Sequence, residues 1–251
     1  MKIFCTGTTD VGNRSGVNQD AIGLLCDGKK GMFIVADGMG GHEDGEFASH
    51  HIVSKMEQFW KKWLQQEWIF QEMVVKCKKE LLEENRFLYE KMNRGKVCGT
   101  TLVILLIDGT QLATISIGDS RIYVNENEIA MALTTDDIWD TIPEIQKMYS
   151  EDEMRLHPNH GKLTQAFGSK QDPKLHMQIG TLQKDTGFLL MSDGIYQYCR
   201  KESINHCIAE IMQPARQQSA IEKLIGEVTS NGAKDNYSCI AVTIKDLYEC
   251  S

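Results

Sequence analysis

The hydrophobic positions of this chain fall into short apolar runs and two long helical stretches. Three runs near the start, "MKIFCTG", "AIGLLCD" and "GMFIVA", are short and apolar and predict strands. Two helical stretches follow, at about 43–63 and 66–93. Apolar residues in the second recur mostly four apart, which predicts a stripe facing the core, made of Ile69, Met73, Cys77, Leu81, Leu88 and Met92.

The second half of the chain reads mainly as strands. "TLVILLI", "DG" and "QLATISI" predict one hairpin, and "RIYV", "NENE" and "IAMAL" predict another. "SEDE" at 150–153 predicts a capping box within a polar, irregular stretch at 134–165. Strands resume at "KLHMQIGTL" and "GFLLMS", helices follow at 200–212 and 214–230, and "NYSCIAVTI" predicts the closing strand. Because strands and helices come in blocks, the pattern favours an α+β fold, here a single domain over 1–251.

Composition narrows the class of protein. A net charge of −8 over 251 residues argues against a broad nucleic-acid footprint. Eight cysteines without a CxxC pair favour reduced thiols in a cytosolic protein over a disulfide framework or a zinc site. The polar N-terminal sequence holds no signal-peptide core, and no apolar stretch approaches the roughly 20 residues of a spanning helix. We therefore expect a cytoplasmic protein without a membrane segment.

Four aspartates stand at predicted strand ends. Asp37 ends "FIVADG", Asp193 ends "FLLMSDG", Asp119 follows "ATISIG", and Asp235 precedes "NYSCIAV". In antiparallel strands, an Asp after one strand and an Asp before the next can meet at the same sheet edge. Carboxylates gathered in apolar surroundings need cations, and oxygen ligands alone favour Mg²⁺ or Mn²⁺. A single Asp–Gly is more often a turn, but four such aspartates favour a metal or phosphate site.

Eight segments in order resemble the metal-dependent protein phosphatases of type 2C, particularly their compact bacterial members. They are "NQDA", "VADGMGGH", "GTTLV", "ISIGDSRIYV", "LTTD", "LTQAFGS", "LLMSDGIY" and "KDNYS", and the match covers about residues 10–244. The resemblance implies a four-layer α-β-β-α sandwich with two central antiparallel sheets flanked by helix pairs. It also implies a flap within residues 134–165.

The resemblance further implies a site with two Mn²⁺ or Mg²⁺ ions. Asp37 would bridge them, the Gly38 carbonyl would bind one, and Asp193 and Asp235 would bind the other. Asp119, with Asp193, would hold a weaker third ion. A water bridging the two ions would then hydrolyse phosphoserine and phosphothreonine in proteins. The implied partners are phosphorylated proteins, the substrates of a cognate serine/threonine kinase, and the implied state is a monomer.

The chain departs from the family pattern at several positions. Gln19 stands where the family usually has a glutamate, which would soften the binding of one metal. Arg14 lies one residue before the usual phosphate-binding arginine, so it is either a re-aimed phosphate ligand or a surface arginine. His42 either helps protonate the leaving group or contact substrate, or only hydrogen-bonds near a helix start. Asp137 and Ile138 replace a common His–Ser pair.

Other residues leave two interpretations open. Trp139 and Met148 in the predicted flap either contact substrate or fix the loop to the body. Arg121 is expected to pair with an acidic neighbour, and "FWKKW" at 59–63 is expected to form a solvated helix face. For the whole chain, the alternatives to a phosphoprotein phosphatase are a weak or inactive phosphoprotein-binding scaffold, or an enzyme acting on another phospho-switch such as an anti-sigma-factor antagonist.

Overall fold

A computed structural model describes residues 1–13, 16–40, 42–92, 99–182 and 185–245, with only the backbone at positions 42, 43 and 92. Its strands are β1 Lys2–Asp10, β2 Asp20–Cys26, β3 Lys30–Met39, β4 Gly99–Thr100, β5 Leu102–Asp108, β6 Gln111–Ile117, β7 Arg121–Glu126, β8 Ile129–Ala132, β9 His176–Thr181, β10 Thr186–Met191 and β11 Tyr237–Lys245. Its helices are α1 His42–Gln65, α2 Phe70–Met92, α3 Pro143–Met148, α4 Glu151–Leu156, α5 Asp193–Tyr196, α6 Lys201–Glu210 and α7 Gln217–Ser230.

The strands form two antiparallel sheets. The first sheet has the order β1-β11-β10-β7-β8, and the second has the order β2-β3-β5-β6-β9, with the short β4 paired to β3. Helices α1 and α2 pack on the outer face of the second sheet, and α6 and α7 pack on the outer face of the first. The predicted α-β-β-α sandwich is confirmed.

Alternation along β3 explains why its sequence is a continuous apolar run. Met32, Ile34 and Ala36 face the helices α1 and α2, and Phe33 and Val35 face the first sheet. Both faces of the strand are therefore buried, as in a strand at the centre of a layered fold. The opposing residues from the first sheet include Phe188, Leu190, Ile240 and Val242.

Several local predictions are confirmed. Both hairpins form, with β5 paired to β6 and β7 paired to β8. The capping box is present at the start of α4, where the Ser150 hydroxyl accepts from Glu153 N–H and the Glu153 carboxylate accepts from Ser150 N–H. Arg121 makes the expected ion pair, donating to both carboxylate oxygens of Asp136.

Two predictions about helix faces are wrong. Ile69 is 68% exposed because α2 begins at Phe70, so the core-facing stripe starts one position later than the periodicity indicated. The aromatic residues of "FWKKW" do not face solvent: Phe59, Trp60 and Trp63 are buried against the second sheet, and only the two lysines point outward. The stripe from Met73 to Leu88 is buried as predicted, and the Met92 side chain lies outside the described residues.

Candidate active site

A cavity of about 240 Å³ opens at one rim of the sandwich, where strands of both sheets end. Asp37, Asp119, Asp193 and Asp235 all line it, together with Gly38. The four aspartates that the strand-end argument singled out are therefore brought to one place. The remaining lining residues are Gln19, Met39, Gly40, Thr101 and Leu163.

Asp37 is held by the second sheet. Its N–H donates to Thr101 Oγ1 at 3.1 Å, and its carbonyl accepts from Thr101 N–H at 2.8 Å. Thr101 Oγ1 in turn lies 2.6 Å from Ser120 Oγ, next to Asp119. This chain of short contacts fixes two of the acidic residues relative to each other.

The first sheet supplies Asp193 and Asp235. Since β10 and β11 are antiparallel neighbours, the residue after β10 and the residues before β11 meet at one rim. Ser192 N–H donates to the Ser238 carbonyl at 3.1 Å, and Ser238 N–H donates to Ser192 Oγ at 3.0 Å. The register of this strand pair thus places the two carboxyl groups side by side.

Asp20 joins the two halves of the site. It pairs with Asp37 in the β2–β3 register, and its Oδ2 accepts from Ser192 Oγ at 2.8 Å and from Ser238 Oγ at 2.7 Å. A side chain of the second sheet therefore binds both hydroxyls that flank the carboxylates of the first sheet. The other oxygen, Oδ1, is buried and has no hydrogen-bond partner among the described residues.

Two glycines permit the close approach of backbone at this rim. A Cβ on Gly38 would lie 2.3 Å from the Gly45 carbonyl oxygen, and one on Gly194 would lie 2.0 Å from that of Asn236. Neither distance is possible for a real side chain, so the Asp–Gly pairs here are required by packing rather than by a turn.

The electrostatics of the cavity are dominated by negative charge. Burial, followed by repulsion from Asp20, Asp193 and Asp119, raises the pKa of Asp37 well above its ordinary value. Burial and the charge of Asp193 raise the pKa of Asp119 to about 7. Burial also raises the pKa of Asp20 to about 6. Among the described residues that line the cavity there is no lysine, arginine or histidine to offset these charges.

The donor set fits hard divalent cations. All the charged groups that line the cavity are carboxylates, and Gly38, which also lines it, can add a backbone carbonyl oxygen. In the described part of the chain no three acidic, histidine or cysteine side chains converge tightly enough to hold an ion by themselves. Burial is the first cause that raises the pKa of both Asp37 and Asp193, and repulsion from neighbouring carboxylates raises each further. Carboxyl groups crowded in this way favour a bound cation, which would offset their repulsion.

Comparison with known proteins identifies the family of this chain. The family model described as "Protein phosphatase 2C" matches residues 12–228, which is most of the chain. The chain belongs to the protein phosphatase 2C family. The prediction of the family and its enzyme class is confirmed.

Similar proteins include a bacterial relative and two solved structures. The "Serine/threonine phosphatase stp" of Listeria innocua is 27% identical over 244 residues, covering 93% of each chain. The Mycobacterium tuberculosis phosphatase PstP/Ppp superposes with a TM-score of 0.82 at 20% identity, covering 98% of this chain and 100% of the other. A structure of the PstP catalytic domain in complex with two manganese ions has a TM-score of 0.77 at 22% identity, covering 98% and 99%. These structures share the fold.

Within this phosphatase 2C domain, Gln19 is fixed mainly through its backbone. Its N–H donates to Asn236 Oδ1 at 2.8 Å, and its carbonyl accepts from Gly38 N–H and Ser49 Oγ. The side-chain amide lies against Gly45, where a Cβ would come within 2.4 Å of Nε2. The neutral amide therefore occupies a packed position beside the cavity. Arg14 and the side chain of His42 lie outside the described residues, so their roles stay predictions.

The predicted flap is attached to the site by Asp137. Its Oδ2 accepts from Gly118 N–H at 2.9 Å, its N–H donates to the Gly118 carbonyl at 2.8 Å, and its Oδ1 lies 2.8 Å from His176 Nε2. Trp139 stacks on His157, with ring centroids 4.1 Å apart, and so packs within the segment. Met148 is 69% exposed, and Leu163 is the residue of this segment that lines the cavity.

Sequence reasoning missed the parts played by Asp20 and Thr101. Both stood inside quoted segments, "NQDA" and "GTTLV", but neither carries a local signal of its own. Asp20 is 2% exposed, and the serines that bind it lie 172 and 218 positions away. The contact of Asp20 with the serines of "MSDG" and "NYS" could be predicted only from the strand order of the two sheets.

Proposed function

We propose that this chain hydrolyses phosphoserine and phosphothreonine esters in proteins, using two Mn²⁺ or Mg²⁺ ions. The observation that carries the proposal is the convergence of four aspartates from two sheets on a cavity whose described lining residues include no basic side chain. The bacterial relative named above, a serine/threonine phosphatase, supports the same substrate class.

The residues that would hold the ions are Asp37, the Gly38 carbonyl, Asp193 and Asp235, with Asp119 for a third, weaker ion. Bound ions would neutralise phosphate charge and lower the pKa of a water molecule, which would supply a nucleophile for phosphorus near neutral pH. A cavity of about 240 Å³ accommodates a phosphoryl group with a few waters, each occupying roughly 30 Å³. The rest of a protein substrate must therefore stay outside the cavity.

The chain's own groups position the reaction. Hydrogen bonds to Thr101 hold Asp37, and the hydroxyls of Ser192 and Ser238 hold Asp20 across the two sheets. We propose that residues 134–165 form the flap over the substrate, with Asp137 fixing its base to Gly118. Arg14 is proposed to bind the phosphate and His42 to assist the leaving group; the cytoplasmic location, the cognate kinase and the monomeric state stay predictions.

Hydrolysis of a phosphothreonine peptide with manganese tests the proposal. The double variant Asp37→Asn, Asp193→Asn should lose at least about 1,000-fold in kcat/KM, because both carboxylates are needed to hold the ions. Asp108→Asn is the matched control, an aspartate before glycine in the β5–β6 turn, and should stay within twofold of the parent. Equal rates for the parent and the double variant would refute the site.

A scaffold that binds phosphoproteins without hydrolysing them is the second candidate. It is favoured by the neutral Gln19, packed beside the cavity where the family usually carries a glutamate. Calorimetric titration with manganese separates the two candidates. Binding at micromolar to low millimolar metal supports the enzyme, and no heat of binding at millimolar metal supports the scaffold.

A further inference from the structure

The open edge of the sandwich, away from the cavity, brings two cysteines together. Strand β1 is an edge strand of the first sheet and β2 is an edge strand of the second, and the two strands contact each other at this edge. Ile3 N–H donates to the Gly28 carbonyl at 3.1 Å, and Leu24 Cδ1 lies 3.1 Å from where a Cβ on Gly7 would stand.

These two contacts fix which residues of β1 and β2 lie opposite each other. Cys5 lies midway between Ile3 and Gly7, and Cys26 lies midway between Leu24 and Gly28. Because side chains alternate along a strand, Cys5 and Cys26 are directed to the same side as the contacts that flank them. Both are half-buried and pack against the core between the sheets. The thiols therefore face each other at an edge that a small molecule can reach.

The surroundings of this pair lower the pKa of one thiol. Gly28 N–H donates to Cys26 Sγ at 3.2 Å. The neighbouring Cys5 thiol and this N–H lower the pKa of Cys26 to about 7, against opposition from burial and the charge of Asp27, while the pKa of Cys5 is raised well above its ordinary value. Burial raises the pKa of Cys77, Cys199 and Cys207 to about 12. Of the cysteines in the described ranges, Cys26 alone has a lowered pKa, the property that governs thiol reactivity.

We propose that Cys5 and Cys26 form a redox-active dithiol, which hydrogen peroxide closes to a disulfide and a thiol reductant reopens. The Cys26 thiolate attacks one peroxide oxygen, forming an S–OH group and releasing hydroxide, which becomes water on taking up a proton. The sulfur of Cys5 then attacks the Cys26 sulfur, the S–S bond forms, and hydroxide leaves with the Cys5 proton as water. Two thiols lose two electrons and two protons, and one peroxide is reduced to two waters.

The disulfide would tie the two sheets together at their open edge. The loop that it closes spans residues 5–26 and contains Gln19 and Asp20, which lie at the candidate active site. Closing a loop of about 20 residues restricts the unfolded chain and should raise the Tm by about 5 °C. The bond would thus be a reversible modification of a chain otherwise stable with reduced thiols.

Peptide mapping tests the proposal directly. The full chain, loaded with redox-inert Mg²⁺, is treated with stoichiometric peroxide, alkylated and digested with trypsin. Cleavage after Arg14 places Cys5 in peptide 3–14 and Cys26 in peptide 15–29. The expected product is these two peptides joined with the loss of two hydrogens, and released by dithiothreitol. Cys199, half-buried in peptide 185–200, is the internal control and should be recovered alkylated.

Two variants at Cys5 give a second readout. The pH midpoint for alkylation of Cys26 should lie near 7 in the parent and rise by at least one unit in Cys5→Ala, which lacks the donor. Cys5→Ser keeps an O–H donor and should hold the midpoint low, although it cannot form the disulfide. Neither variant changes a residue of the candidate site, so peptide hydrolysis should be unchanged under reducing conditions.

Four outcomes would overturn the proposal. The first three are recovery of both peptides alkylated after peroxide, oxidation of Cys199 ahead of Cys26, and the same alkylation midpoint for Cys5→Ala as for the parent. The fourth is an oxidised Cys26 without the cross-link to Cys5, which would show that the thiols do not meet as the register of β1 and β2 requires.

Discussion

An Asp–Gly pair lies at each end of β3, and the two pairs have opposite electrostatic settings. At its start, Lys30 pairs in register with Asp108, and Lys30 Nζ lies 3.4 Å from Asp108 Oδ2. Near its end, Asp37 pairs in register with Asp20, a second acid, and faces further carboxylates in the cavity. Both Asp108 and Asp37 precede glycine. The chain itself neutralises one aspartate and leaves the other to be neutralised from outside.

This contrast shows what an Asp–Gly pair can and cannot indicate. Gly109 follows an aspartate whose side chain is about a quarter exposed, adopts φ +58° and has open space around it, as in an ordinary hairpin turn. Gly38 is buried in an extended strand, where the carbonyl of Gly45 leaves no room for a side chain. The two sites are separated by their neighbours across the sheet and not by their own sequence.

The largest expected effect on stability comes from replacing Gly38 by alanine, compared with the same replacement at Gly109. Gly38→Ala forces its Cβ to within 2.3 Å of a backbone oxygen and should cost about 3 kcal/mol or more in the free energy of unfolding. Gly109→Ala meets no atom and should cost only about 1 kcal/mol, for its left-handed backbone. Denaturant unfolding of both variants measures the difference. Similar losses at the two positions would break the comparison.

The next effect concerns pH in protein kept metal-free with a chelator. The pKa of Asp119 rises from 3.8 to about 7 on folding, so the folded state binds this proton more tightly than the unfolded chain does. Its stabilising contribution is full below about pH 4 and is lost as the pH rises through 7, about 3 kcal/mol between pH 5 and 8. Unfolding of the parent and of Asp119→Asn across this window isolates the contribution. A parent that is no less stable at pH 8 than the variant would contradict it.

Stabilisation by manganese should depend on the aspartate near the end of β3 and not on the aspartate beside its start. Manganese at about 100 times its Kd stabilises the folded state by about 2.7 kcal/mol, which should raise the Tm by several degrees. Asp37→Asn should reduce this rise severely, whereas Asp108→Asn should keep it, because Asp108 lies at the far end of the sheet beside Lys30. Thermal melts with and without manganese make the measurement. An undiminished rise in Asp37→Asn would remove that residue from the proposed ligands.

The smallest effect is expected from breaking the ion pair at the start of β3. Lys30 and Asp108 are each about a quarter exposed, so solvent screens their attraction. Lys30→Met keeps the aliphatic stem, removes the charge and should change the free energy of unfolding by less than about 1 kcal/mol. Peptide hydrolysis should stay within twofold of the parent. A large loss of activity would show that the two ends are coupled.

Much of the fold could be predicted from the sequence because its signals are local. The apolar run of β3, the two hairpins and the capping box at Ser150 each depend on a few neighbouring residues. The errors lie at a boundary and at a charged face. Ile69 continues the helical spacing but precedes α2. The two lysines of "FWKKW" indicated a solvent-exposed face, although the three aromatic residues beside them pack on the sheet.

The residue types of the candidate site could be predicted from the sequence, but the hydrogen bonds that join them could not. Strand ends and antiparallel order place Asp193 beside Asp235, and the topology bears out that argument. The bridge from Asp20 to Ser192 and Ser238 joins two sheets and parts of the chain that are remote in sequence, so no periodicity records it. The raised pKa values of Asp37 and Asp193 likewise depend on burial, which only the folded state supplies.

The strand order of the first sheet has a consequence for biosynthesis. β11, furthest along the chain, inserts between β1 and β10 and pairs with both over much of its length. Asp235 stands two residues before β11, and the hydroxyl of Ser238 within the strand donates a hydrogen bond to Asp20. A nascent polypeptide whose β11 is still in the ribosomal tunnel has a gap in the middle of this sheet. The proposed activity should therefore arise only once β11 has emerged and paired, in one step rather than gradually during translation.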